Sequence, residues 1–232
     1  MSTRILPPSF QVDSVNRYRL APREKTAFKT VMKAQDLLDL TGNREATITV
    51  KAGDTFEYHS VFPILQGTIH ESFTLEKLDG RLASHTLTRT VYDLEEKQKR
   101  HEKVDFSGAS LPLPNATYPE VILPFLLSWQ PLDGKIRSAY AWINDRFIAR
   151  VEYQSLKSVS LQLPNRRVKA IKAIMYPDFN DWVPLGKMLT KLARPFIPKY
   201  HMWFSPEPPH TVLRFEGSYG PPGAPEIVLE LL

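Results

Sequence analysis

Regular alternation of apolar and polar residues near the C-terminus limits the possible fold more than any other feature of this sequence. Residues 226–231 carry isoleucine or leucine at every odd position and glutamate or valine at every even position. Residues 211–216 alternate in the same way, with Leu213 and Phe215 on one side. Successive side chains of an extended chain point to opposite faces, so this period of two indicates half-buried β-strands.

Loops rich in proline and glycine separate these segments. Residues 205–210 contain three prolines, and residues 217–225 combine glycines with prolines, so neither segment continues a helix or a strand. A third extended segment, residues 200–204, precedes the first loop. The sequence therefore predicts a closing meander of three antiparallel strands over residues 199–231.

Extended segments also fill residues 46–176, for which we predict antiparallel strands. Asp79-Gly80 is a strong hairpin signal, because both residues tolerate the positive φ of a tight turn. The charged residues 95–103 are typical of a solvent-exposed turn and edge strand. Residues 120–129 predict a short helix or a covering segment, since they are strongly apolar but interrupted by Pro124. Two further hairpins are predicted, one pairing 136–143 with 147–154 and the other pairing 156–163 with 167–175.

Helical patterns occur in two places. Residues 23–40 have apolar residues at helical spacing, and residues 181–194 repeat Leu185, Met188, Leu189 and Leu192 at i, i+3, i+4 and i+7. We predict a mainly β fold of the α+β class. A curved antiparallel sheet or incompletely closed barrel forms a single domain over residues 1–232, and the two helices cover or plug its concave side. Residues 1–20 are expected to form an irregular arm.

Composition excludes several kinds of site. The chain has no cysteine, which removes disulfides, zinc-thiolate sites and thiol nucleophiles. Its net charge of +5 is too small to indicate a nucleic-acid partner. No apolar segment approaches the roughly 20 residues of a membrane-spanning helix or resembles a signal peptide, so we expect a cytoplasmic protein. We expect no cofactor and no metal, and the sequence leaves the oligomeric state open.

The C-terminal meander resembles a known family. Tyr200-His-Met-Trp-Phe-Ser205, the Pro208-Pro-His210 turn, Leu213-Arg-Phe-Glu-Gly217 and the closing Glu226–Leu231 segment are similar to the end of an uncharacterised bacterial domain family. That family is grouped with the LolA-like lipoprotein carriers. The resemblance implies an incompletely closed antiparallel barrel wrapped around helices, with an apolar cavity suited to acyl chains. It implies no catalytic residues.

Catalytic motifs are absent from the sequence. It has no Gly-x-Ser-x-Gly elbow, phosphate-binding glycine loop, His-Glu-x-x-His or dinucleotide fingerprint. Residues that combine an apolar body with a polar atom are instead candidates for lining a pocket. With the apolar face of the 181–194 helix and a few strand residues, they give the predicted ligand-binding set: Trp142, Trp182, Leu185, Met188, Leu189, Tyr200, Trp203, His210, His59, His70 and Arg89.

Three of these candidates depend on strand register. A turn centred on Ile64-Leu65 would place His59 opposite His70, and the Asp79-Gly80 turn would place His70 opposite Arg89. Such a row could bind a carboxylate. The alternative is an exposed polar face, because a register slip of one residue moves the whole set to the other side of the sheet.

Three functions are compatible with this pattern. The first is binding of a hydrophobic or amphipathic small molecule, lipid-like or polyketide-like, in a cavity enclosed by the sheet. The second is a cofactor-independent cyclase or isomerase that acts on an apolar substrate in the same cavity. The third is a protein-interaction domain with a filled core. A continuous dry interior would favour the first two functions, whereas a solid core would leave only the third.

Overall fold

The computed structural model describes residues 5–7, 11–23, 38–42, 44–53, 55–106, 113–114, 116–144, 147–177, 199–218 and 226–232. Within these ranges the chain is mainly β, and its strands form one curved sheet that does not close completely. The strands are β1 (Val12–Pro22), β2 (Arg44–Ala52), β3 (Thr55–Ile64), β4 (Gly67–Leu78), β5 (Arg81–Tyr92), β6 (Gln98–Asp105), β7 (Thr117–Pro119), β8 (Arg137–Asn144), β9 (Phe147–Gln162), β10 (Arg167–Pro177), β11 (Tyr200–Phe204), β12 (Val212–Ser218) and β13 (Glu226–Leu231). A 3-10 turn, Glu120–Ile122, leads into a short helix, α1 (Leu123–Leu127).

The sheet is built outward from its middle. Its strand order is β6-β5-β4-β3-β2-β1-β13-β12-β11-β10-β9-β8-β7, so the first and last strands of the sequence pair at the centre. Adjacent strands are antiparallel except for β7 and β8, which are parallel. The expected irregular arm over residues 1–20 is therefore wrong for Val12–Pro22. In that segment Val12, Tyr18 and Leu20 are buried on one face.

Side chains and one short segment join the two ends of the sheet. The Tyr118 hydroxyl of β7 donates to the Leu82 carbonyl of β5 at 2.7 Å and accepts from the Ile5 N–H at 2.8 Å. The Leu82 N–H in turn donates to the Ile5 carbonyl at 2.9 Å. Because β6 continues beyond β5 as an edge strand, these contacts bring the ends together without forming a continuous ladder.

The concave side is filled mainly by aromatic and aliphatic side chains. Helix α1 projects into it, with Leu123 and Leu126 fully buried and the Phe125 ring 5.4 Å from that of Tyr58. Full burial of each such side chain contributes about 1.5–3 kcal/mol. The short helix expected within residues 120–129 is confirmed. None of the described helices is long and apolar enough to cross a membrane.

The Asp79-Gly80 hairpin and the charged edge strand predicted in the first half are confirmed. Asp79 and Gly80 both have positive φ, 52° and 74°, and they connect β4 to β5. The charged segment 95–103 forms a turn and then β6, which lies at one edge of the sheet.

The two hairpins predicted over residues 136–175 are confirmed in their pairing, but they share one continuous strand instead of two. Residues 147–162 form one strand of 16 residues, β9. The pairing of β9 with β10 shifts by one residue between Ser155 and Ser158 of β9. Odd-numbered residues of β9 therefore face the core before the shift and the outer face after it. Val151 and Tyr153 therefore lie in the main core, whereas Leu161 lies in a second apolar cluster on the outer face.

A bulge also changes the alternation of β12. Trp203 pairs with Arg214 but Phe204 pairs with Val212, so Leu213 is an extra residue. As a result Val212 and Phe215 share the inner face, and Leu213 packs with Trp203 on the outer face. The prediction that Leu213 and Phe215 face the same side is wrong for this reason.

The two predicted helices fall on parts of the chain outside the described residues. Helix 181–194 lies wholly outside them, and helix 23–40 falls mostly on residues 24–37. At the end of the latter prediction, Leu38 forms an isolated antiparallel bridge with Ile64 instead of a helical turn. The single-domain assignment over residues 1–232 stays a prediction.

Candidate functional site

A row of polar residues crosses the concave face of four neighbouring strands. Ser60 of β3 pairs with Glu71 of β4, Glu71 pairs with Arg89 of β5, and Arg89 pairs with Glu102 of β6. The inner positions on either side of the first three are apolar or aromatic: Tyr58 and Phe62, Ile69 and Phe73, Leu87 and Val91. The row therefore leads from an exposed edge strand into the core.

A buried ion pair lies within this row. Glu71 is fully buried, and its Oε1 accepts from Arg89 Nε at 2.7 Å and lies 2.6 Å from Nη2. The other end of the guanidinium, Nη1, is 3.8 Å from Glu102. A carboxylate removed from water requires a paired cation and hydrogen bonds. Arg89 supplies both to Glu71.

Glu120 brings a second carboxyl group to the same region. It begins the 3-10 turn directly after Pro119, which ends β7, and the apolar residues that follow draw this turn into the core. The side chain is buried, and its Oε1 accepts a hydrogen bond of 2.9 Å from the Tyr200 hydroxyl. Contact between residues 80 positions apart fixes both groups in the interior.

Gly217 makes room for the Tyr200 ring. A Cβ at residue 217 would lie 2.3 Å from Cδ1 of Tyr200, which no real contact allows. The ring also packs against Phe215, with centroids 6.1 Å apart. Glycine at this position is therefore required for Tyr200 to point toward Glu120.

The two groups have strongly perturbed acidities. Burial raises the pKa of Glu120 to about 8; the charge of Glu71 adds to the rise, while the Tyr200 hydrogen bond and the charge of Arg89 act against it. Burial, together with the charge of Glu120, also raises the pKa of Tyr200 well above its ordinary value. Glu120 is thus mostly a neutral carboxylic acid near neutral pH. The charge of one arginine, Arg89, acts on both buried carboxyl groups.

A narrow apolar cavity adjoins this pair. About 20 Å³ of it is open to a water-sized molecule, which is enough for a single water. Apart from Glu120, Tyr200 and Ser218, its walls are apolar or aromatic. The described lining is Ile48, Tyr58, Phe62, Glu120, Val121, Pro124, Phe125, Met175, Tyr200, Phe215, Ser218 and Leu229.

Only some of the predicted ligand-binding residues meet on the concave side. Tyr200 lines the cavity, and Arg89 lies beside it in the polar row. Trp142 is buried in the main core, but its ring packs on Phe106, with centroids 5.2 Å apart. Four others, Trp182, Leu185, Met188 and Leu189, lie outside the described residues.

The remaining predicted residues lie elsewhere. Trp203 lies on the outer face, where Lys172 Nζ is 5.1 Å and Arg214 Cζ is 5.5 Å from its ring centroid. His210 lies in the β11–β12 turn, with its Nδ1 2.8 Å from the Ser205 carbonyl oxygen of the same turn. A local contact of this kind is typical of a turn cap.

The predicted row of His59, His70 and Arg89 does not exist. The first turn centres on Leu65-Gln66, so His59 pairs with Ser72, and its Nδ1 lies 2.8 Å from the Ser72 hydroxyl. In β5 one extra residue, His85, shifts the register, so Arg89 pairs with Glu71.

The two histidines remain neighbours on the outer face, with ring centroids 5.9 Å apart. Burial lowers the pKa of His70, and the nearby His59 adds to this effect. Arg89 lies on the opposite, inner face, because the shift of one residue reverses the side to which it points.

Sequence reasoning missed Glu71, Glu120 and Ser60. Their signal was a polar residue at an inner position of an otherwise apolar alternation: Ser60 between Tyr58 and Phe62, and Glu71 between Ile69 and Phe73. Glu120 stands at the start of the most apolar segment of the chain. Buried charge at such positions marks a candidate functional site.

The described residues offer little to a metal ion. They contain no group of three or more histidine, aspartate or glutamate side chains arranged to hold one. The arrangement of Glu120 and Tyr200 instead suits hydrogen bonding and proton exchange with a small organic group.

Comparisons with known proteins give only a distant likeness. No family model matches the chain, and no curated protein matches it either. A β-barrel-like protein of the domain of unknown function DUF1849 from Brucella abortus is similar in structure at a TM-score of 0.46 and 9% identity. That likeness covers 99% of this chain and 97% of the other. The resemblance to the family grouped with LolA-like carriers is therefore not confirmed by any of these comparisons.

Proposed function

We propose that this protein binds a hydrophobic or amphipathic small molecule on the concave side of its sheet. The observation that carries the proposal is the buried Glu120–Tyr200 pair at the wall of an otherwise apolar cavity. Binding sites for small molecules combine apolar walls with a few fixed polar groups in this way. A buried carboxyl group destabilises the fold unless it has a polar partner. The polar group of a bound ligand would be such a partner for Glu120.

The described interior is nearly filled, and its cavity holds a single water, so on the criterion given above the described part alone favours the third function, a protein-interaction domain. The binding proposal therefore requires a pocket that is wider than the described cavity. Three residues that line the described cavity, Met175, Tyr200 and Ser218, stand close in sequence to residues 178–198 and 219–225, which lie outside the described residues. In this proposal the ligand extends toward those connections, and the apolar residues predicted on the 181–194 helix complete its pocket.

The test is binding of an uncharged fluorophore, N-phenyl-1-naphthylamine, to the full chain. We expect saturable binding, and we expect Ser218→Trp to weaken it about tenfold by filling the cavity mouth. Ser72→Trp is the matched control, because Ser72 is half-buried on the outer face, as Ser218 is at the cavity. Equal binding by both variants would remove this cavity from consideration, and no binding by the wild type would refute the function itself.

The acidity of Glu120 favours a second candidate function. A carboxylic acid with a pKa of about 8 is protonated near neutral pH and can donate its proton to a bound substrate, as a cofactor-independent isomerase or cyclase requires. Native mass spectrometry of detergent-free protein would identify any co-purified molecule. Incubation of that molecule with wild type and Glu120→Gln, followed by mass and retention analysis, distinguishes the two functions. Conversion by the wild type alone supports catalysis, and no conversion by either supports binding only.

A further inference from the structure

The buried charges of the site indicate which polar group a ligand would carry. Glu71 and Glu120 are two carboxyl groups, and among the described cations Arg89 is the one whose charge acts on Glu120. Arg89 contacts Glu71 through two of its nitrogens, Nε at 2.7 Å and Nη2 at 2.6 Å. The site therefore has one more acidic group than it has cations.

A ligand with a carboxylate would worsen this imbalance. It would place a third acidic group near one arginine that already binds Glu71, and an unpaired buried charge is strongly unfavourable. An alcohol would leave the imbalance unchanged. A protonated amine would correct it, because each carboxyl group would then face one cation.

The hydrogen-bonding pattern suits an ammonium group as well. Tyr200 donates to Oε1 of Glu120 and also forms a hydrogen bond with Ser218, so one lone pair of the Tyr200 oxygen remains as an acceptor, together with Oε2 once Glu120 has lost its proton. An ammonium group has three donors and no acceptor. These two acceptors lie on neighbouring side chains at the cavity wall.

We infer that the molecule bound in this cavity is an amphipathic amine, whose ammonium group is held by the carboxylate of Glu120 and the hydroxyl of Tyr200. This inference rests on the function proposed above and specifies its ligand class. The apolar part of the amine packs along the cavity wall formed by Phe125, Met175 and Leu229.

Binding of an amine has a consequence for protons. Glu120 is mostly protonated near neutral pH because burial raises its pKa to about 8, so it must lose a proton to pair with an ammonium ion. The reaction is R–NH₃⁺ plus neutral Glu120 giving the R–NH₃⁺ and Glu120 carboxylate pair plus one H⁺, and charge balances on both sides. Amine affinity should therefore rise with pH up to about 8.

The other titratable or charged groups described around Glu120 do not obscure the rise of amine affinity with pH. They are Tyr200 from β11, Glu71 from β4 and Arg89 from β5. The pKa of Tyr200 is raised well above its ordinary value, so this residue stays neutral, and the guanidinium of Arg89 stays protonated. Glu71 is ion-paired with Arg89. The described histidines with lowered pKa, His70 and His201, lie on the outer face.

The experiment compares three ligands that differ only in their polar end: octylamine, octanol and octanoate. Each displaces N-phenyl-1-naphthylamine from the full chain, and we expect octylamine to bind at least about tenfold more tightly than octanoate near pH 7. Octylamine affinity should rise about fiftyfold between pH 6 and pH 8, whereas octanol affinity should stay flat or fall slightly. Titration calorimetry in buffers of different ionisation enthalpy should show release of about one proton per octylamine.

Glu120→Gln tests the assignment of the proton. This variant should lose the proton release and the preference for octylamine while it keeps octanol binding. Glu45→Gln, in a half-exposed carboxylate that pairs with Arg17 on the outer face, is the control and should behave as the wild type does.

The outcomes separate the two proposals. If octanoate binds as tightly as octylamine, or if octylamine affinity is flat between pH 6 and pH 8, the amine inference is overturned and the binding function stands. If neither the fluorophore nor any of the three ligands binds, the binding function fails, and the inference fails with it. The pH profile uses the wild type alone, so the inference remains testable even if Glu120→Gln does not fold.

Discussion

The two faces of the sheet both carry arginine–glutamate pairs, but the described charges balance on the outer face and leave an excess of carboxyl groups on the inner face. On the outer face of β1, β12 and β13, Arg214 contacts Glu230 at 2.9 Å and Glu216 at 2.6 Å. Arg19 also binds Glu230, and Arg23 binds Glu226 at 2.8 Å and approaches Glu216 at 3.5 Å. The outer set therefore has three arginines for three glutamates. On the inner face, Arg89 is paired with Glu71, and its charge also acts on Glu120.

This difference explains why the two sets behave differently. Each carboxylate of the outer set has an arginine partner, and Glu230 and Glu216 have two. Loss of one contact leaves another in place. On the inner face, burial removes Glu120 from bulk water, and among the described residues one arginine faces two buried carboxyl groups, so Glu120 stays neutral by keeping its proton. A buried carboxyl group without a paired cation does not stabilise the fold. We therefore assign Glu120 to ligand binding.

The largest effect is expected from removing the inner cation. Arg89→Met leaves the fully buried Glu71 without its paired arginine and should lower the free energy of unfolding by about 3–5 kcal/mol. Urea denaturation near neutral pH measures this loss. A loss below about 1 kcal/mol would show that the inner pair is no more critical than a surface pair.

Replacing the neutral acid should change the pH dependence of stability. The folded pKa of Glu120, about 8, lies above the ordinary value of 4.5, so the folded protein holds this proton more tightly. Its contribution to stability is complete below about pH 4.5 and is lost as the pH rises to about 8, at up to roughly 1.4 kcal/mol per pH unit.

Glu120→Gln should therefore flatten the stability profile between pH 5 and pH 8. Urea midpoints at several pH values measure this slope, and Glu45→Gln on the outer face provides the control, which should behave as the wild type does. The same slope in Glu120→Gln and in the wild type would mean that Glu120 is not the group that titrates.

A smaller effect is expected from the hydrogen bond to Glu120. Tyr200→Phe removes one donor and should destabilise the fold by about 1 kcal/mol. Because that hydrogen bond lowers the pKa of Glu120, its loss should extend the decline of stability to higher pH. Phe215→Leu, which alters the ring packed on Tyr200 but not the hydrogen bond, should leave the pH at which the decline ends unchanged. A shift toward lower pH in Tyr200→Phe would contradict this account.

The smallest effect belongs to the outer face. Arg19→Met makes the same chemical change as Arg89→Met, but Glu230 keeps Arg214, and the Arg19 side chain is 40% exposed. We expect a loss of less than about 1 kcal/mol, reduced further by salt. A loss as large as that of Arg89→Met would remove the contrast between the two faces.

Much of the fold could be predicted from local pattern. The period-two segments, the Asp79-Gly80 turn, the charged edge strand and the short helix after Glu120 depend on neighbours in sequence, and the structure confirms them. The His59–His70 pairing was wrong because the turn centres on Leu65-Gln66, one residue later than predicted. Other errors in side-chain face arose where one extra residue alters a ladder: His85 in β5, Leu213 in β12 and the irregularity within β9. Bulges of this kind reverse the face of every residue beyond them, and the alternation of apolar and polar residues does not reveal where they occur.

A curved antiparallel sheet can be predicted from the amino-acid sequence, because the pattern of apolar side chains along an extended backbone is a local property. Which charges share the interior depends on contacts between segments. Glu71 and Arg89 come from the adjacent strands β4 and β5, whereas Glu120 and Tyr200 lie far along the chain from them and from each other, and the burial and acidity of these groups depend on the register of β4 with β5 and on the path of the chain after Pro119. Electrostatic energy depends on distance and on access to water, and both quantities exist only once the sheet has curved around α1.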